Sequence, residues 1–172
     1  MTDGEKGDTE LTVVGEVVES AWESIKSKVL TATEANYPER LKEVRDRIDQ
    51  VIFLNSTRRL GPLNTVRADL SSILEALLQN SLEAVLATAE PRILAAGEMN
   101  GDKLTLMVKD NGRGMSDNVL KHALEPLFST KGEVGVGLSL SLVSSLVIRH
   151  GGDLKSDSSP GAGTTVSFDF YL

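Results

Sequence analysis

An α+β domain is the class this sequence predicts, on three observations. Apolar residues recur at helical spacing through the first half of the chain. Asn100-Gly101, a strong hairpin turn, joins two strand-like runs. The chain then closes on a helical run and two further strand-like runs divided by Pro160-Gly161-Ala162-Gly163. The length of 172 residues suits one domain with its own core. The absence of cysteine excludes a disulfide framework, a thiolate nucleophile and a Cys-ligated zinc site. His122 and His150 lack metal-ligand spacing. Lys and Arg total 18 against 25 Asp and Glu, a net charge of −7, which argues against nucleic acid as a partner. No apolar run approaches the roughly 20 residues of a membrane span. The polar, acidic start MTDGEKGDTE is not a signal peptide. A cytoplasmic protein without direct membrane contact is expected.

Residues 1–10 read as a flexible tail and 11–172 as the domain. Val14, Val17, Val18, Ala21, Trp22, Ile25 and Val29 form one helical stripe, with Trp22 as a core anchor. Lys28–Thr33 alternates and fits a short strand as well. A second helix is expected from Pro38 to about Leu54, on a seam of Leu41, Val44, Ile48 and Val51. Two readings of that seam are open: packing on its own domain, which short seams favour, or a docking face that makes a homodimer. Residues 55–66, with Gly61-Pro62, read as a loop. Asp69 and Ser71 are candidate caps for a long apolar helix reaching about Thr88. Pro91 closes it, and strands Arg92–Glu98 and Lys103–Lys109 follow. Ser116–Leu124 reads as a short helix, and Leu138–Arg149 as an apolar helix stopped by Gly151-Gly152. Asp153–Ser156 and Thr164–Tyr171 are the closing strands.

Three elements carry chemistry. Asn80 interrupts the apolar run LLQNSLEAVL. A buried amide needs a partner, so Asn80 either bonds a neighbouring backbone group or offers an oxygen to Mg²⁺, which prefers hard donors. Asp110-Asn111-Gly112-Arg113-Gly114-Met115 directly follows a strand. Asp110 there can accept from an exocyclic amine, and the glycines permit close backbone approach. The same residues also suit an ordinary turn. The third element is Glu125–Ser141, EPLFSTKGEVGVGLSLS. Gly135 and Gly137 precede a helix start whose free N–H groups suit phosphate, with Lys131 as a nearby charge. The alternative is a flexible loop feeding a core helix. The GxxxxGK[ST] spacing of a P-loop is absent.

In this order the three elements resemble the ATP-binding domain shared by gyrase, heat-shock chaperones, histidine kinases and mismatch-repair proteins, the GHKL or Bergerat fold. The nearest likeness is to the catalytic ATP-binding domain of bacterial sensor histidine kinases of the nitrogen-regulatory type. Asn80 looks like the N box and Asp110–Met115 the G1 box. Glu125–Lys131 looks like the F box and Gly135-Val136-Gly137-Leu138 the G2 box. The ending HGGDL…SSPGAGTTVSFDFYL is similar to the family's last strands. The resemblance implies a two-layer α+β sandwich, a mixed sheet on about three helices, with an extra N-terminal-side helix. It implies ATP and Mg²⁺ as ligands. Asp110 would bond the adenine amine, and Gly112, Gly114 and Met115 would shape the adenine and ribose pocket. Asn80 would hold Mg²⁺. Phe128, Thr130 and Lys131 would border a short lid, with Lys131 as the catalytic charge near the phosphates. Gly135, Gly137 and Leu138 would cradle the phosphate chain.

The sequence departs from the family at four places. Four residues before Asn80, where Asn, His or Glu is usual, stands Ala76, and Glu75 points about 100° away around the helix. A water-activating base is therefore not expected. Glu83 stands where a basic residue is common, and Ser139 where a third glycine is usual. Residues 37–62 read as a helical or loop insertion. The phosphoacceptor pattern HExRxPL does not occur in these 172 residues. The implied partner is a histidine-bearing dimerisation hairpin, in a longer form of this chain or in another protein, and indirectly a response regulator. The alternative is a degenerate GHKL nucleotide-binding or interaction module without catalysis.

Overall fold

The computed structural model describes residues 8–123 and 140–172. Strand β1 (Glu10–Thr12) is followed by helix α1 (Val14–Asn36), a 3₁₀ turn at Pro38–Arg40 and helix α2 (Leu41–Asp49). Strand β2 (Ile52–Asn55), a second 3₁₀ turn at Ser56–Arg59 and strand β3 (Leu63–Thr65) lead into helix α3 (Arg67–Val85). Strands β4 (Arg92–Asn100) and β5 (Lys103–Asp110), helix α4 (Asp117–His122), helix α5 (Leu140–Arg149) and strands β6 (Leu154–Ser159) and β7 (Gly163–Tyr171) complete the described elements.

The main sheet has the order β2-β4-β5-β7-β6. β2 runs parallel to β4 and the other pairs are antiparallel. β1 and β3 form a separate antiparallel pair. Side chains alternate across a strand, so one face of the sheet is apolar. Ile93, Ala95, Leu104, Leu106, Val108, Val166, Phe168 and Phe170 are buried there against α3 and α5, with α1 packed on α3 and β2. The two-layer sandwich expected from the resemblance is present.

Helix α1 runs straight through Lys28–Thr33, so that stretch is not a strand. Val29 and Leu30 continue the buried stripe, and Thr33 Oγ1 bonds back to the Val29 carbonyl at 2.8 Å. Trp22 anchors the layer by stacking on Phe53 of β2, ring centroids 4.6 Å apart. The 37–62 segment also differs from expectation. Its helix stops at Asp49, and Ile52–Asn55 forms the edge strand of the main sheet. β-branched Val51 and Ile52, with Phe53, fit a pleated, half-buried surface better than another helical turn. Ile48 joins the core, with Val44 and Val51 packed beside it, so this seam is covered within the domain. Leu63–Thr65, expected in a loop, pairs with β1.

The hairpin forms as expected, with Gly101 at φ 65° in the turn. Gly151 at φ 71° ends α5, and the N–H of Gly152 bonds the Val147 carbonyl at 3.0 Å. The expected caps of α3 do not form. The capping position is Val66, which offers no side-chain oxygen. Asp69 sits inside the first turn and is buried, where it meets the far end of α5. His150 Nε2 donates to Asp69 Oδ2 at 2.7 Å, and the Arg149 guanidinium pairs with the same oxygen. The His150 ring stacks on Phe170 at 3.9 Å. Removing the carboxylate strands a buried imidazole and a guanidinium together. Asp69→Ala is expected to lower unfolding free energy by roughly 2–4 kcal/mol in urea titrations. Glu43→Ala, which breaks only the exposed pair with Arg40, should change it by less than about 0.5 kcal/mol.

Candidate nucleotide-binding site

The site is built on the last residue of the central strand. Asp110 ends β5, paired with Ile93 of β4 on one side and Thr164 of β7 on the other. Its side chain lies on the helix-facing side of the sheet and is only 4% exposed. Gly112 N–H donates to Oδ1 at 2.8 Å, closing an Asx-type turn. Ser81 Oγ, from α3, donates to Oδ2 at 3.0 Å. Burial raises the Asp110 carboxyl above the ordinary aspartate range. The Gly112, Ser81 and Thr164 hydrogen bonds oppose that rise without cancelling it.

The glycines of the loop have a more local reason than ligand approach. A Cβ on Gly112 would lie 2.5 Å from the Ala84 carbonyl oxygen of α3. One on Gly114, at φ 65°, would lie 1.9 Å from the Ser159 carbonyl oxygen. The loop is thus pressed against α3 on one side and the β6–β7 turn on the other. Arg113 N–H bonds the Ala84 carbonyl at 3.2 Å, and the N–H of Gly161 bonds the Arg113 carbonyl at 2.7 Å. Met115 N–H donates to Ser158 Oγ at 2.8 Å, and that hydroxyl lies 2.8 Å from Thr164 Oγ1. Asn111 ties the loop to the start of β4, accepting from Arg92 N–H at 2.8 Å and donating to the Glu90 carbonyl at 2.8 Å.

Asn80 is half-buried on α3, one residue before the Ser81 that holds Asp110. Ala76 is buried in the core, and Glu75 is turned toward α1, where Lys28 Nζ donates to its Oε2 at 2.6 Å. The divergence of residues 75 and 76 follows the helical geometry read from sequence. Phe128, Thr130, Lys131, Gly135, Gly137 and Leu138 lie outside the described residues. Sequence reasoning missed Ser81, Ser158 and Thr164. Ser81 was findable, because it occupies a core position in the spacing of Leu74, Leu77, Leu78 and Leu82, where a hydroxyl needs a partner. A groove between α1 and β2, lined by Trp22, Phe53, Asn55 and Arg58 among others, contains none of the candidate residues.

Residues 65–172 match the model of the histidine kinase-, DNA gyrase B-, and HSP90-like ATPase family. The chain belongs to this family, and its domain is an ATP-binding one. Sensor histidine kinase ZraS of Klebsiella oxytoca is 35% identical over 130 residues, covering 74% of this chain and 27% of that protein. Sporulation kinase B of Bacillus subtilis (strain 168) is 30% identical over 138 residues, covering 80% of this chain and 29% of that one. The chain therefore spans little more than a quarter of these curated relatives. Among solved structures, the catalytic domain of histidine kinase ThkA shares the fold, with a TM-score of 0.69 and 20% identity over 95% of both chains.

The raised Asp110 value gives a signed expectation. A carboxyl that binds its proton more tightly when folded favours the folded state at low pH. That contribution is lost as pH rises through its folded value. The stability of the wild type relative to Asp110→Asn should therefore fall as pH rises above the ordinary aspartate value of about 4. Urea titrations of both proteins at a series of pH values above it measure the difference. A difference that grows with pH would show that the hydrogen bonds outweigh burial.

Proposed function

We propose that this domain holds Mg·ATP and presents its γ-phosphoryl group to a histidine on a dimerisation hairpin, carried by a longer form of this chain or by another protein. A response regulator would receive the phosphoryl group from that histidine. The observation that carries the reading is the Asp110 carboxylate, buried at the central strand end and held by Gly112 and Ser81. An ionised carboxylate offers about four lone-pair sites. The Gly112, Ser81 and Thr164 bonds leave room for one more donor, and an adenine amine is such a donor. Gly112, Gly114 and Met115 then border the base.

Magnesium fits the donor set. No group of three His, Cys, Asp or Glu side chains able to hold a metal occurs among the described residues. A metal at Asn80 would take its remaining ligands from phosphates and water, as Mg²⁺ commonly does. Bound there, it would neutralise phosphate charge. Asn80 would fix its place, and Lys131 would face the phosphates from the F box. Phe128 and Thr130 are assigned to the same border, and Gly135, Gly137 and Leu138 to the phosphate chain. Catalysis by positioning and charge requires no general base.

That last point favours transfer to a histidine over transfer to water. Ala76 carries no group to orient a water, and Glu75 is engaged by Lys28. Ala76 is itself buried in the core. A glutamate there would put a carboxylate into the core and destabilise the protein, with no gain in turnover. No helix among the described residues is long and apolar enough to cross a membrane. A cytoplasmic location is proposed on the assignment to two-component signalling.

Calorimetric titration with ADP and Mg²⁺ is expected to give saturable binding, weakened roughly 10- to 100-fold in Asp110→Asn. No heat from the wild type at millimolar nucleotide would leave an interaction module without nucleotide. Mixed with radiolabelled ATP and a histidine-bearing hairpin from a related kinase, the domain is expected to label the hairpin. Release of inorganic phosphate in its absence should be near background. Hydrolysis without hairpin labelling would overturn the transferase reading.

A further inference from the structure

Helix α3 carries Asn80 and Ser81, and its C-terminal turn forms one wall of the Asp110 loop. The last carbonyls of a helix have no partner within it. In α3 they are taken by donors from three places. Arg113 N–H, from the loop itself, bonds Ala84 O. Thr88 N–H bonds Val85 O at 2.8 Å. The third donor is Arg47, 39 residues away from Leu86 in sequence, whose Nε donates to Leu86 O at 2.7 Å. Its Nη2 reaches Thr88 O, and its Nη1 is steadied by Gln50 Oε1 at 3.2 Å. A cation at a helix C-terminus also meets the negative end of the helix dipole. The rigid planar fork of a guanidinium is suited to spanning two carbonyls in this way.

We propose that Arg47 is a positioning residue of the nucleotide site. Its fork fixes residues 84–88, and through Ala84 the height of the Gly112 turn and the aim of Asp110. The tolerance at this contact is small, because even a Cβ on Gly112 would lie 2.5 Å from the Ala84 carbonyl oxygen. Asn111 grips the other end of the same connection at Glu90 and Arg92. The stretch between α3 and β4 is thereby held from both sides. Helix α2 is itself fixed, by Ile48 in the core and by β2 on the sheet edge. The 37–62 segment thus acts on adenine binding without touching adenine. This inference rests on the proposed nucleotide function.

The test compares wild type, Arg47→Gln and Arg47→Lys by ADP calorimetry, urea unfolding and amide NMR. Arg47→Gln is expected to weaken ADP binding roughly fivefold or more and to shift the Gly112 and Arg113 amide signals. The Gly151 and Gly152 signals, at the Asp69 end of the molecule, should stay in place. Arg47→Lys, able to reach one carbonyl, should fall between the two. Binding linkage supplies a readout on the wild type alone, should Arg47→Gln not fold. If the fork favours ADP, ADP must favour the fork, and solvent exchange of the Arg47 Nε proton must slow when ADP is added. Lower stability with unchanged ADP affinity, or an exchange rate indifferent to ADP, would reduce Arg47 to a structural clamp and overturn the proposal. A wild type that fails to bind ADP overturns the nucleotide reading and this one with it. A wild type that binds beside an unaffected Arg47→Gln overturns this one only.

Discussion

The Asp110 carboxylate is the constraint on which the rest depends. It belongs to the sheet, yet one oxygen is bonded by the loop that follows it and the other by a helix in the second layer. A single side chain thus fixes strand, turn and helix relative to one another. Such a group is expensive to bury, and burial raises its proton affinity. Satisfied by a few oriented donors, it is a structural joint, and the proposed nucleotide site would use it as a preformed acceptor. With these donors already in place, binding there would require little reorganisation.

Close backbone approach is what makes the joint possible. Gly112 against Ala84, Gly114 against Ser159 and Gly163 against the Asp110 carbonyl are three contacts with no room for a side chain. Each draws another element onto the same strand end. The DxGxG turn is consequently a packing device, and the ligand cradle proposed for it would demand the same residue type.

Helix α3 is pinned at both ends by residues from elsewhere in the chain. Asp69 in its first turn holds Arg149 and His150 of the α5 end, and its last turn is held by Arg47. The helix therefore resists sliding or tilting, which matters because Asn80 and Ser81 lie between the pins. The 37–62 segment, through β2 and α2, is part of this frame.

By itself the sequence determined the elements with strong local signals. The Val14–Val29 stripe, the Asn100-Gly101 turn, the Gly151 stop and the closing strands follow from periodicity and from glycine's access to positive φ. The order Asn80, Asp110–Met115, Glu125–Lys131 and Gly135–Leu138 was enough to point to the ATP-binding family. Tertiary structure alone decided the rest, because the deciding partners are distant in sequence. Lys28–Thr33 alternates like a strand, but the core beside it extends the helix. Ile52–Asn55 has too few residues to announce a strand and becomes one through β4. Asp69 has the chemistry of a cap, but a histidine 81 residues away takes its carboxylate. Arg47 reads as a solvent-facing charge on a polar helix. Only folding shows it reaching carbonyls at the end of α3, since a bare carbonyl at a helix terminus leaves no mark in the sequence of the residue that will satisfy it.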